Sequence, residues 1–336
     1  MLALLFGTAV QAKEIDQFTD RWAVLRYYAG GYRALPNAPG PKQVDAVLDR
    51  QMNALLDRLL DRLERTPPRS IDARDELVRQ TFMHPLLPEL VTPYEEWATA
   101  KARIPLYWVR DKGIYGHAVD FDDMRMAWYI ELSPTIQVSG VLMGLDKLGH
   151  FLGQGFDYYR RFRRLDPRRP VAARLAEVRD RGHLQEFGQL GIATGGVYSF
   201  ADLAANWSGM TFFMALFDDV NVEGQRHARY FARGRDDRYR RVRDFHWAEY
   251  ATSDWDEVIN PTGAATRALY DKVARNLWRE EAAGKKSICE HYRDDPSGYL
   301  GPTQPLLPRG RYATEAGERV APYALDVRVI CRTRPD

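Results

Sequence analysis

Apolar residues at Val44, Val47, Leu48, Met52, Leu55, Leu56, Leu59, Leu60 and Leu63 recur at steps of three and four, with Asp and Arg on most of the positions between. That period predicts an amphipathic helix from Pro41 to Arg65 with one face buried. Thr66-Pro67-Pro68 ends it, because proline lacks an amide donor and disfavours helix in the residue before it. Ser70 is placed to cap a second helix of about 12 residues, which stops near Pro85 and Pro88.

From Ile104 to Val138 the pattern changes. Leu106-Tyr-Trp-Val, Met126-Ala-Trp-Tyr-Ile-Glu-Leu and Thr135-Ile-Gln-Val carry aromatic and β-branched residues between Gly, Asp and Pro, which predicts short strands or extended segments. From Gly140 the chain reads as helical again, through Leu145 to Arg164. A last helix is expected after Asn260-Pro261-Thr262, with proline in its first turn, running to about Ala283. Beyond Pro296 the residues are rich in Gly and Pro with little period, so a loop-rich tail is expected. The fold class is therefore mainly α: a helical, bundle-like core with a few short strands and a loop-rich C-terminal tail. The expected organisation is a signal peptide over 1–12, an N-terminal helical region over 13–100, a central helical domain over 101–285 and a tail over 286–336.

Composition sharpens this only in places. The 336 residues carry a net charge of +2 with the charges interspersed, which argues against a nucleic-acid binder. Two arginine clusters stand out, nine arginines within Arg160–Arg181 and another group from Arg226 to Arg243. Each is either a solvated face or a patch for a membrane surface or phosphate. Met1 to Ala12 is apolar, ends in Val10-Gln11-Ala12 and is followed by Lys13-Glu14, as a secretory signal is before its cut; a short buried helix is the alternative. A periplasmic or secreted location, with membrane association open, follows from the signal. The two cysteines, Cys289 and Cys331, then suggest one disulfide, with two free buried thiols as the other possibility.

Candidate chemistry lies between Asp146 and Asn206. Asp146 and His150 are four apart, so a helix puts carboxylate and imidazole on one face, one turn apart. His183 and Glu186 form a second pair. From Phe187 to Phe217 the only charged side chain is Asp202. An ionisable group in so long an uncharged run is expected to be paired, liganded or at a cleft edge. Ser199 three residues before it also fits a capping box, in which the acid serves only the helix end. Asn206 lies a turn further on the same face, and capping has no use for it. Gly209 beside Ala204, Ala205 and Ser208 would admit a second helix closely, as would Gly188, Gly191, Gly195 and Gly196.

The blocks Asp146-Lys-Leu-Gly-His-Phe151, Glu186 and Ser199-x-x-Asp202-x-x-x-Asn206-x-x-Gly209 resemble those of a small bacterial envelope lipoprotein family of unknown function, distantly similar to VanZ-like membrane proteins. The resemblance covers roughly 140–217. Where members of that family often have an acid shortly after the glutamate, this chain has Phe187-Gly188-Gln189, and His183 has no counterpart in the pattern. The resemblance implies an envelope location and a shared polar helical core. It implies no reaction.

Two function classes follow. One is a non-catalytic envelope protein with a buried polar centre, which binds an envelope component or the membrane surface. The other is a metal-dependent hydrolase of a lipid headgroup or cell-wall fragment. In it His150, Glu186 and Asp202 would hold a divalent transition metal such as zinc, iron or manganese. Asp146, His150 and Asp202 would then be catalytic, with Lys147, His183, Ser199 and Asn206 completing the centre. The segment 254–257, with His246, Trp247 and Glu249 nearby, offers acids beside aromatic rings for sugars or cations, or is a solvated acidic turn. Gly-x-Ser-x-Gly, phosphate-loop, His-Glu-x-x-His and Cys-x-x-Cys patterns are absent from the sequence, which argues against hydrolases of those familiar types.

Overall fold

The computed structural model describes residues 12–16, 41–84, 92–107, 130–188, 191–192, 196–279, 286–294 and 321–334. The expected signal lies outside these, except that Ala12 opens a strand. Met126–Tyr129, Trp108-Val109 and the tail from 295 to 320 also lie outside them.

Helix α1 (Pro41–Arg65) and helix α2 (Ile71–Phe82) have the expected bounds, and the Ser70 hydroxyl accepts from the Ala73 amide as the α2 cap. Val44, Leu48, Met52, Leu56 and Leu59 of the α1 stripe are wholly buried. Helix α3 (Pro93–Ala100) begins with a proline at its start and a Thr92 cap. The extended region supplies β2 (Ile130–Ser133), β3 (Thr135–Val138) and β4 (Val141–Gly144), and β2 runs parallel to β1 (Ala12–Asp16).

The helical reading from Gly140 needs correction. Ser139 and Gly140 both have positive φ, and this two-residue turn folds β3 onto β4, with Val138 opposite Val141. Helix α4 starts only at Asp146 and runs to Arg164. It is followed by α5 (Val171–Phe187), β5 (Val197–Tyr198) and α6 (Phe200–Met214). The second arginine cluster lies largely on two hairpins, β6 (Val220–Val222) with β7 (Gln225–His227) and β8 (Phe231–Arg233) with β9 (Tyr239–Arg241). The expected start of the last helix is also displaced. Gly263-Ala264 is strand β10, paired to β5 on one side and to β11 (Tyr323–Ala324) on the other. Helix α7 starts at Arg267 behind a Thr266 cap and ends at Leu277. Short helices α8 (Ile288–Asp294) and α9 (Val327–Ile330) follow, so α7 is not the last.

The molecule thus has a helical core but is not purely α: eleven strands, none longer than five residues, are present among the described residues. Two apolar clusters organise it. The larger runs from α1 to Trp255 and centres on Phe151, whose ring lies 4.9–5.8 Å from those of Trp247, Tyr250, Phe212 and Trp255. The smaller gathers α7, α8 and α9 around the buried Cys289–Cys331 disulfide.

Candidate polar centre

Helices α4 and α6 bring the candidate residues together because glycine lets their backbones touch. A methyl group built on Gly155 would stand 2.7 Å from the Gly209 Cα, and one on Gly209 would stand 1.8 Å from the Phe151 carbonyl oxygen. The close approach read from Gly209 is present. Gly191 serves another purpose: a Cβ there would collide with the Glu186 carbonyl oxygen, so the glycine admits a close approach to Glu186 rather than to a neighbouring helix.

Between the two helices the Lys147 ammonium is fully buried. It lies 2.6 Å from Asp202 Oδ1, 2.9 Å from Asp146 Oδ2 and 3.2 Å from Glu257 Oε1. Beside it, His150 Nε2 is 3.4 Å from Asp202 Oδ2, while His150 Nδ1 is 3.0 Å from Asn206 Oδ1. The Asn206 amide donates to the Tyr158 hydroxyl at 3.4 Å. Asp146, Lys147, His150, Asp202, Asn206 and Glu257 are each at most 4% exposed. Asp146, His150 and Asp202 each offer a metal-binding atom within 4.8 Å of the other two.

The choice between capping box and polar centre is decided by Ser199. Its hydroxyl accepts from the Asp202 amide at 3.2 Å, so the serine caps α6. The return half of the box is missing: the Ser199 amide donates to Glu186 Oε1 at 2.8 Å. Glu186 therefore satisfies the amide that Asp202 would have taken, and the Asp202 carboxylate is released toward Lys147 and His150. Glu186, expected as a ligand beside His150, is not in the Asp146, His150 and Asp202 group; it holds the entry to α6 by accepting from the Ser199 amide.

His183 faces elsewhere. It is hydrogen-bonded to the Tyr198 hydroxyl, and burial lowers its pKa from 6.5 to about 4. Sequence reasoning placed Glu257 in a separate acidic segment and not in this centre, where it accepts from Ser199 Oγ at 2.9 Å as well as meeting Lys147. Burial raises the pKa of its carboxyl above the ordinary carboxylate range, against the opposing pull of the Lys147 ammonium. Its neighbours Trp255, Val258 and Ile259 are apolar and buried, a signal that the segment is not a solvated turn. Glu95 was missed; its carboxylate packs where a side chain on Gly149 would have been.

Most of the arginines are paired with acids. Arg229 meets Asp219, Arg240 meets Asp236, Arg241 meets Asp57 and Asp244, and Arg243 meets Glu249 in the second cluster. In the first, Arg161, Arg168, Arg169 and Arg179 are likewise paired. Arg164 and Arg181 have no ion pair among the described residues. They line a cavity of about 400 Å³ with Leu165, Val178 and the exposed Leu184, and the paired Arg161 and the acids Glu177 and Asp180 line it too.

The chain matches no protein-family model, no curated protein and no solved structure.

Proposed function

We propose that the protein is a non-catalytic component of the cell envelope, in which the Lys147 centre locks α4, α6 and the 254–257 segment into one arrangement. The observation that carries this reading is the ammonium buried among three carboxylates at 2.6–3.2 Å from two helices and a distant loop. Such a network demands one register, since any slip strands a charge away from water. A hydrolase would need one of these groups to reach a substrate atom, and burial of them all favours the structural role. The envelope location draws support from the apolar N-terminus and the Cys289–Cys331 disulfide, which suits an oxidising compartment. The groove with Arg164, Arg181 and exposed Leu184 is the surface offered to an anionic envelope component or membrane face.

The test is a set of substitutions read by urea denaturation. Lys147→Met alone should cost about 3 to 5 kcal/mol, because it leaves the carboxylates uncompensated. Adding Asp202→Asn and Glu257→Gln should recover a large part of that loss. An unchanged Lys147→Met midpoint sinks the structural reading. Hydrolysis of a lipid or cell-wall substrate by the purified protein, abolished by Asp202→Asn, would establish the enzyme instead. Thiol trapping in cells should find Cys289 and Cys331 oxidised.

A further inference from the structure

We infer that Asp146, His150 and Asp202 form a binding site for one divalent transition-metal ion, zinc being the best fit, held beside the Lys147 ammonium rather than in its place. The inference rests on the geometry of the centre and stands wherever the chain resides.

The two carboxylates divide their oxygens. Lys147 takes Asp146 Oδ2 and Asp202 Oδ1. Asp146 Oδ1 and both Asp202 oxygens are buried and have no hydrogen-bond partner among the described residues, Asp202 Oδ1 having its ion-pair contact with Lys147 and Asp202 Oδ2 only the imidazole. His150 Nε2 stands against one of them, Asp202 Oδ2.

The imidazole is set up as a ligand. With the Asn206 amide nitrogen turned to the Tyr158 hydroxyl, the Asn206 oxygen is left to accept from His150, so Nδ1 carries the ring proton and donates. In the neutral ring the lone pair is then on Nε2, the nitrogen that faces a carboxylate oxygen. Two lone pairs that face each other in a buried site repel unless a proton or a metal ion lies between them. This use of one ring nitrogen to orient the other is the arrangement found around metal-bound histidines.

The separation of His150 and Asp202 agrees better with two ligands of one metal ion than with a shared proton. A proton shared between imidazole and carboxylate draws the heavy atoms to roughly 2.7–2.9 Å. Two ligands each about 2.0–2.1 Å from zinc, at the tetrahedral angle, stand roughly 3.4 Å apart. The observed His150 to Asp202 distance is 3.4 Å. Nitrogen with carboxylate oxygen suits zinc, and the buried location means that the ion enters as the chain folds.

The experiment uses the full chain, unfolded with chelator and refolded with or without zinc chloride. After desalting, the zinc-refolded protein should retain one equivalent of metal. In ¹⁵N-histidine NMR of the unaltered chain, zinc should move the His150 Nε2 signal and leave Nδ1 protonated. His150→Gln should remove the bound equivalent, and Asn206→Ala, which spares the ligands, should weaken zinc retention about 10- to 100-fold. Zinc that leaves the His150 ring signals unmoved is held elsewhere and overturns the inference. So does retention of no metal, or an imidazolium signature at His150 that zinc does not alter. The NMR arm needs no variant and decides the matter even where His150→Gln does not fold.

Discussion

His183 shows what burial does to one side chain and supplies a pH prediction. Its pKa falls from 6.5 to about 4 because burial penalises the imidazolium. A depressed histidine contributes stability above its unfolded pKa, and that contribution is lost as pH falls toward the folded value. Stability should therefore drop between about pH 6.5 and pH 4 by on the order of 1 to 2 kcal/mol, after allowance for partial screening. Urea midpoints at several pH values would measure it, and His183→Gln should flatten the profile in that window; an unchanged slope would contradict the assignment. At this scale the sequence was partly legible. Asp202 stood out because nothing charged surrounds it, Asp146, His150 and Asn206 followed from helical spacing, and Lys147 entered only with the Asp146–Phe151 block. Glu257 did not stand out, since acids grouped within four residues read as solvated until Trp255 and Ile259 are seen to draw them inward. Glu186 was conspicuous for the right reason, its isolation, yet its task of holding the Ser199 amide joins residues 13 apart in sequence, which periodicity does not encode.

Between elements, the α4 and α6 contact governs whether the centre exists at all. Gly209→Ala would place a methyl group against the Phe151 carbonyl oxygen, and backbone cannot rotate aside as a side chain can. The helices would have to separate, at a cost of roughly 1 to 3 kcal/mol or more. The same shift should lengthen every contact of Lys147, so calorimetry should show a lower melting temperature for Gly209→Ala, with a smaller added loss when Lys147→Met is combined with it than in the parent. Full additivity would mean that helix spacing and the ionic centre are independent. The long helices were legible because their apolar stripes and proline stops are local. The hairpins from Val220 to Arg241 were not, since arginine-rich strands of three residues carry too little alternation to show a period of two. Those arginines find acids only after the turns have formed.

Across the whole molecule, the smaller apolar cluster depends on a covalent closure. Cys289 and Cys331 are 42 residues apart and wholly buried among α7, α8 and α9. Closing a loop of that size contributes about 4 kcal/mol on the chain-entropy model, an upper figure. Reduction, or Cys289→Ser with Cys331→Ser, should lower the unfolding temperature. Proteolysis should then open the segments around 286–294 and 321–334 before α4 and α6, which belong to the larger cluster. Simultaneous loss of both clusters would show that they unfold as one unit. The disulfide itself could be read from an even cysteine count, whereas the three-stranded sheet that ties β5 to β10 and β11 could not, because two-residue strands leave no pattern.

The zero exposure of Lys147 gives the protein an internal reporter. An amine sealed from solvent does not react with methylating or acylating reagents, while surface lysines are modified promptly. The lag before Lys147 acquires a label, followed by peptide mass, would thus time the spontaneous opening of the α4 and α6 pair under native conditions, with no probe attached to the chain.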